Sequence, residues 1–179
     1  MRKRKIIAAS SASRALHATL GHGIARTMTL YFAYGANMEC AAMRARCPAA
    51  AALGPALLRG WRYVIASGYG SVARASGAGV FGVLWRLTPR DLAALNIFES
   101  LDSGLYRRAM LTVELDGRRA RALVYVGRPG GRPRPMPGYQ ERLVVAAREW
   151  HLPPRYIEEL RRIAPSYRGA RPAETGEIG

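Results

Sequence analysis

Lysine is nearly missing from this 179-residue chain: Lys3 and Lys5 stand alone among 28 basic residues, and the rest are arginine. Acids number only 12, which leaves a formal charge of +16. Cysteine is as scarce, and Cys40 and Cys47 by themselves exclude a disulfide-stapled scaffold or a four-cysteine metal site. The three histidines are His17 and His22, in the first 27 residues, and His151, before a proline pair. They offer no set for a histidine triad or a zinc centre. No run of about 18 apolar residues exists to span a membrane. Gly-x-Ser-x-Gly is absent, and Gly68-Tyr69-Gly70 matches only part of a nucleotide-binding glycine pattern, between the wrong elements.

What remains suits one domain with a real core: 49% of residues are hydrophobic and 22% charged. The arginine excess reads first as a solvated surface. Six of the basic residues and no acid fall in residues 1–27, so the remainder carries +10. A nucleic-acid role resting on the 2–5 cluster and the Arg-rich 127–134 loop is the lesser alternative, and it predicts steep salt dependence. The 1–27 segment starts basic, but its apolar stretch Ile6–Ala9 is short and soon interrupted by Ser10, Ser11, Ser13 and Arg14. That is a poor signal peptide, although the Arg- and Ser-rich composition also resembles a transit peptide. Met28 sits directly before the first strand, so 1–27 is read as a disordered extension or mis-assigned start. Residues 28–179 then form a single domain with an irregular tail from Ala164. Two cysteines and no convincing secretion signal point to a reducing cytoplasm.

Leu30–Tyr34 reads as a buried strand ended by Gly35, and Asn37 as N-cap of a helix over 38–46 that Pro48 stops. A β-rich patch over 53–66 is followed by short segments around 71–75 and by the apolar strand Val80–Trp85. Thr88-Pro89-Arg90-Asp91 opens a helix, with Leu92, Leu95 and Phe98 as its inward stripe. Asp116-Gly117 predicts a tight hairpin, setting Leu111 opposite Ala122, Glu114 opposite Arg119 and Arg108 opposite Tyr125. Tyr106 and Tyr125 share one face of it. Helices over 138–150 and from Pro153-Pro154 to Ile163 close the pattern. Adjacent hairpins imply antiparallel pairing, so the class is α+β: a curled sheet or small β-barrel with helices packed outside.

Most carboxylates have a structural task. Asp91 caps, Asp116 turns, Glu114 faces Arg119, and Glu141, Glu149, Glu158 and Glu159 lie on amphipathic helices. Glu99 differs, because it follows Phe98 among Leu95, Ile97 and Leu101. Lost hydration there favours the neutral acid and makes a usable proton carrier, unless the residue simply points to solvent. Tyr34-Gly35-Ala36-Asn37 turns a strand through glycine into a helix start, an anion-binding arrangement or an ordinary turn. Together they suggest an amino-acid-like ligand with a carboxylate.

Four stretches in order resemble the γ-glutamylcyclotransferase family. Tyr31–Met38 resembles its YFAYGSN loop, Val80–Trp85 its VWGVVW strand, and Leu95–Tyr106 its LDxxEGVxxGxY segment. Pro137-Gly138-Tyr139 with Leu152–Tyr156 resembles its PxxY…LPxxY ending. Ala36 stands for the family serine, Asn96 for an aspartate and Ser100 for a glycine. The resemblance implies a small, mainly antiparallel β-barrel flanked by helices, with no metal or organic cofactor. It implies that the α-amine of a small γ-glutamyl substrate attacks its own γ-carbonyl and releases 5-oxoproline. Glu99 would then be the acid/base. Tyr31, Phe32, Ala33, Tyr34, Gly35 and Ala36 would hold the γ-glutamyl group, and Tyr139 would close the pocket. The rival reading is a binding or regulatory protein that keeps the same pocket without turnover.

Overall fold

The computed structural model describes residues 28–99, 104–128 and 134–163. The expectations for 1–27, Ser100, the middle of the arginine-rich loop and the tail from Ala164 lie outside these residues.

Five strands form the framework: β1 (Thr29–Ala33), β2 (Ala51–Ala66), β3 (Tyr69–Leu87), β4 (Tyr106–Leu115) and β5 (Arg118–Gly127). They close into a barrel in the order β1-β3-β2-β4-β5, antiparallel throughout except where β1 meets β5 in parallel at Tyr31 and Leu123. Among the described residues four helices flank it: α1 (Cys40–Arg46), α2 (Pro89–Phe98), α3 (Tyr139–Glu149) and α4 (Pro154–Ile163). The α+β barrel expected from the sequence is the observed architecture.

Local chemistry accounts for both long hairpins. Asp116 and Gly117 sit at φ 49° and 75°, the left-handed pair that a type I′ turn needs. The β4–β5 register is the one that turn predicts, including Leu111 with Ala122 and Glu114 with Arg119. The carboxylate of Glu114, however, accepts from Nε of Arg59 on β2 at 2.8 Å, so its recorded ion pair ties two hairpins together. Ser67 and Gly68, at φ 52° and 87°, make a second such turn. The segments expected separately at 71–75 and 80–85 therefore belong to one strand, β3. A register shift between Arg59 and Trp61, with Gly60 and Gly77 both left-handed, absorbs the interruption as a bulge.

Thr88 and Asp91 form the expected capping box of α2. The inward stripe is narrower than predicted: Leu95 is fully buried, Leu92 half-buried, and Phe98 exposed. On α3, Leu143, Ala146 and Ala147 enter the core, and Trp150 stacks edge-on against Trp85 at 5.9 Å. The indole Nε1 of Trp150 donates to the carbonyl of Met38 at 2.7 Å. That bond fixes the end of α3 to the turn after β1. The buried amide of Gln140 receives the Tyr63 hydroxyl and donates to the Leu160 carbonyl, pinning the start of α3 to β2 and α4. Among the described residues no helix is long and apolar enough to cross a membrane.

Candidate functional site

Beside the segment that follows β1 lies a cavity of about 350 Å³. β1 and its exit supply Tyr31, Tyr34, Gly35 and Ala36; the end of α2 supplies Phe98 and Glu99. Tyr69 and Gly70 enter from β3, Tyr106 and Tyr125 from β4 and β5, and Tyr139 and Arg142 from α3. Glu99 is the only carboxylate lining it among the described residues.

Of the residues expected at the site, Tyr31, Tyr34, Gly35, Ala36, Glu99 and Tyr139 come together here, with Tyr106 and Tyr125 in the wall. Phe32 and Ala33 do not line it. Strand alternation points Phe32 away from Tyr31, and its ring is wholly buried in the core. Ala33 is spent on the β1–β3 pairing opposite Val83.

Asn37 has a different place from the expected N-cap. It lies within a short 3-10 turn, Ala36–Met38, while Glu39 caps α1 without a side-chain bond. The Asn37 side chain is buried and turned toward the cavity. Its Nδ2 donates to Oε1 of Glu99 at 2.7 Å and to the Tyr31 hydroxyl at 2.9 Å, and its Oδ1 accepts from Arg46 Nη1 at 2.8 Å. Burial drives the Glu99 carboxyl up to about 7, against the opposing pull of the Asn37 hydrogen bond and the Arg46 charge.

The tyrosines behave differently. Burial raises Tyr31, Tyr34, Tyr106, Tyr125 and Tyr139 above the ordinary phenol value, so all five keep their protons at neutral pH. The cavity is thus polar but carries one group that titrates near neutrality. Tyr106 donates to the Gly70 carbonyl at 2.9 Å and Tyr125 to Asn96 Oδ1 at 2.7 Å. The Gly70 amide donates to the Tyr139 hydroxyl at 3.0 Å. A Cβ on Gly35 would stand 2.8 Å from that hydroxyl, and one on Gly70 2.9 Å. Both glycines are required by this close approach, a sterically distinct reason from the turn role read for Gly35.

Residues 31–152 match the family described as gamma-glutamyl cyclotransferase, AIG2-like. The chain belongs to this enzyme family. Mouse gamma-glutamylcyclotransferase is 27% identical over 153 residues, covering 78% of this chain and 81% of the mouse protein. The human protein of the same name is 27% identical over 149 residues, covering 76% of this chain and 79% of its own. A solved structure described as gamma-glutamyl cyclotransferase superposes with a TM-score of 0.73 at 25% identity, over 82% of this chain and 95% of that one.

Sequence reasoning missed seven residues of this cyclotransferase-family cavity: Asn37 through its amide, Arg46, Tyr69, Gly70, Phe98 as a surface ring, Leu105 and Arg142. Arg46 reads locally as a last-turn helix cation, and Arg142 as one more solvated arginine. In the fold, the Arg46 guanidinium lies 3.7 Å above the Phe98 ring, and Arg142 pairs with Glu39 at the rim.

Proposed function

We propose that the protein is a γ-glutamylcyclotransferase acting on a small γ-glutamyl amino acid, peptide or amine, with Glu99 as its acid/base. The observation that supports this most directly is Glu99 itself. Among the described residues it is the single carboxylate lining the cavity, raised to about 7 and held by a buried amide. A group balanced between its two forms near neutrality both takes and returns a proton at little cost.

The reaction needs little more. The substrate's γ-glutamyl chain lies along Tyr31, Tyr34, Gly35 and Ala36 and folds so that its α-nitrogen faces its own γ-carbonyl. Ionised Glu99 takes a proton from the α-ammonium. The freed amine attacks the γ-carbon, forming the ring C–N bond and placing negative charge on the carbonyl oxygen. As that oxyanion collapses, the original amide C–N bond breaks and Glu99 returns the proton to the leaving amine; the ring nitrogen then gives up its second proton, through Glu99, to the released amine. The products are 5-oxoproline and a free amine or amino acid. Closure of a five-membered ring already has a high effective molarity, so enforcing the folded conformer supplies much of the acceleration. The neutral hydroxyls of Tyr31 and Tyr139, which accept from Asn37 and from the Gly70 amide, offer hydrogen bonds to the substrate and to its oxyanion.

The test is 5-oxoproline release from a panel of γ-glutamyl dipeptides and γ-glutamylamines by the wild type and by Glu99→Gln. Release by the wild type alone, with substrate binding retained in the variant, is the expected result. Equal turnover in Glu99→Gln removes the proposed base. No release by a folded wild type that still binds γ-glutamyl compounds favours the non-catalytic reading.

A further inference from the structure

Arg46 makes no recorded contact with Glu99, yet it decides what Glu99 touches. A guanidinium carries only donors, so the Asn37 atom that faces it at 2.8 Å must be the amide oxygen. That leaves the NH2 end of Asn37 to meet Glu99 and Tyr31, at 2.7 and 2.9 Å. Turned the other way, the same amide would set its oxygen against a carboxylate and its NH2 against a cation. The guanidinium is itself held over the Phe98 ring, its Cζ 3.7 Å from the centroid. This explains why an aromatic ring stays 45% exposed at the end of α2.

We propose that Arg46, held by Phe98, is a positioning residue that locks the Asn37 amide toward Glu99 and so aims and maintains the ionisable base. The proposal rests on the cyclotransferase reading for its catalytic meaning, but the relay itself is a statement about one carboxyl group. Among the described residues, the groups facing Glu99 are Tyr31 and Tyr34 around the end of β1, Tyr106 on β4, Tyr125 on β5, Tyr139 on α3, and Arg46 on α1. The tyrosines are neutral across the range in which Glu99 titrates, and Arg142 is engaged with Glu39. Among the described residues, Arg46 is therefore the cation that keeps the ionised form of Glu99 accessible.

The experiment follows the Glu99 δ-carbon by 13C NMR in the full chain across pH, its signal assigned by its loss in Glu99→Gln. Arg46→Gln removes the charge, and its own amide no longer dictates how Asn37 turns. The expected result is a Glu99 midpoint raised by roughly one unit. Below the midpoint, the ionised fraction and kcat/KM then fall about tenfold. Arg46→Lys keeps a donor-only cation without the planar fork, and it returns the midpoint most of the way. A midpoint unmoved in Arg46→Gln overturns the proposal, including where turnover falls equally at every pH. Should the wild type release no 5-oxoproline, the proposed reaction fails, while the midpoint still decides the relay.

Discussion

Replacing Glu99 by Gln should make the protein more stable at alkaline pH and leave it nearly unchanged in acid. The carboxyl lies at 4.5 in a free chain and at about 7 in the fold, raised chiefly by burial. Below 4.5 both states hold the proton and the group is indifferent. Between 4.5 and 7 the unfolded chain ionises while the folded one does not, so stability falls as pH rises. Above 7 the fold carries the whole cost of a partly desolvated carboxylate. At 1.36 kcal/mol per unit, that cost is about 3 kcal/mol. Glutamine has the same shape, can still accept from Asn37, and never ionises. Urea unfolding of both proteins from pH 4.5 to 8.5 should therefore show a gap that widens by about 3 kcal/mol as Glu99 ionises. All other titrating groups cancel in the difference. Parallel stability curves would refute the buried, raised carboxyl on which the proposed mechanism depends.

In Gly82→Ala, a Cβ would overlap the Ala33 carbonyl oxygen and meet the Phe32 ring at 2.8 Å. Both belong to β1, so the barrel seam must open, at a cost of about 3 kcal/mol readable by urea or thermal unfolding. A variant as stable as wild type would mean that β1 does not lie where it is placed here. Tyr139→Phe leaves the Gly70 amide without its recorded acceptor, costing about 1–3 kcal/mol of stability. Its KM for γ-glutamyl substrates should rise more than kcat falls, and unchanged kinetics would remove the hydroxyl from the site. Arg142 lines the cavity as a rim cation, so Arg142→Met should raise KM about tenfold for γ-glutamyl amino acids, whose leaving group carries a carboxylate. It should spare γ-glutamylamines that lack one; equal effects on both would argue against contact with the leaving group.

Much of the barrel was legible because its hairpins are made by local chemistry. Asp116-Gly117 dictates the β4–β5 register residue by residue, and Thr88-Pro89-x-Asp91 dictates where α2 begins. Long-range closure carries no such signal: the parallel meeting of Tyr31 with Leu123 and the 35-residue run of β2 and β3 through their bulge depend on the whole sheet. The same division runs through the site. Glu99 could be singled out by elimination, as a carboxylate with no local task. Asn37 and Phe98 could not, because each satisfies a local rule that the fold does not use. An asparagine before a helical stretch reads as a cap, and an aromatic at helical spacing reads as core. Here Glu99 lies 62 residues along the chain from Asn37, and the shared guanidinium comes from a third element. A buried carboxylate that must ionise needs donors wherever the fold brings them, and local propensity is silent about that need. The departures from local rules therefore gather at Glu99, the carboxylate proposed as the base, where function has most reason to override them.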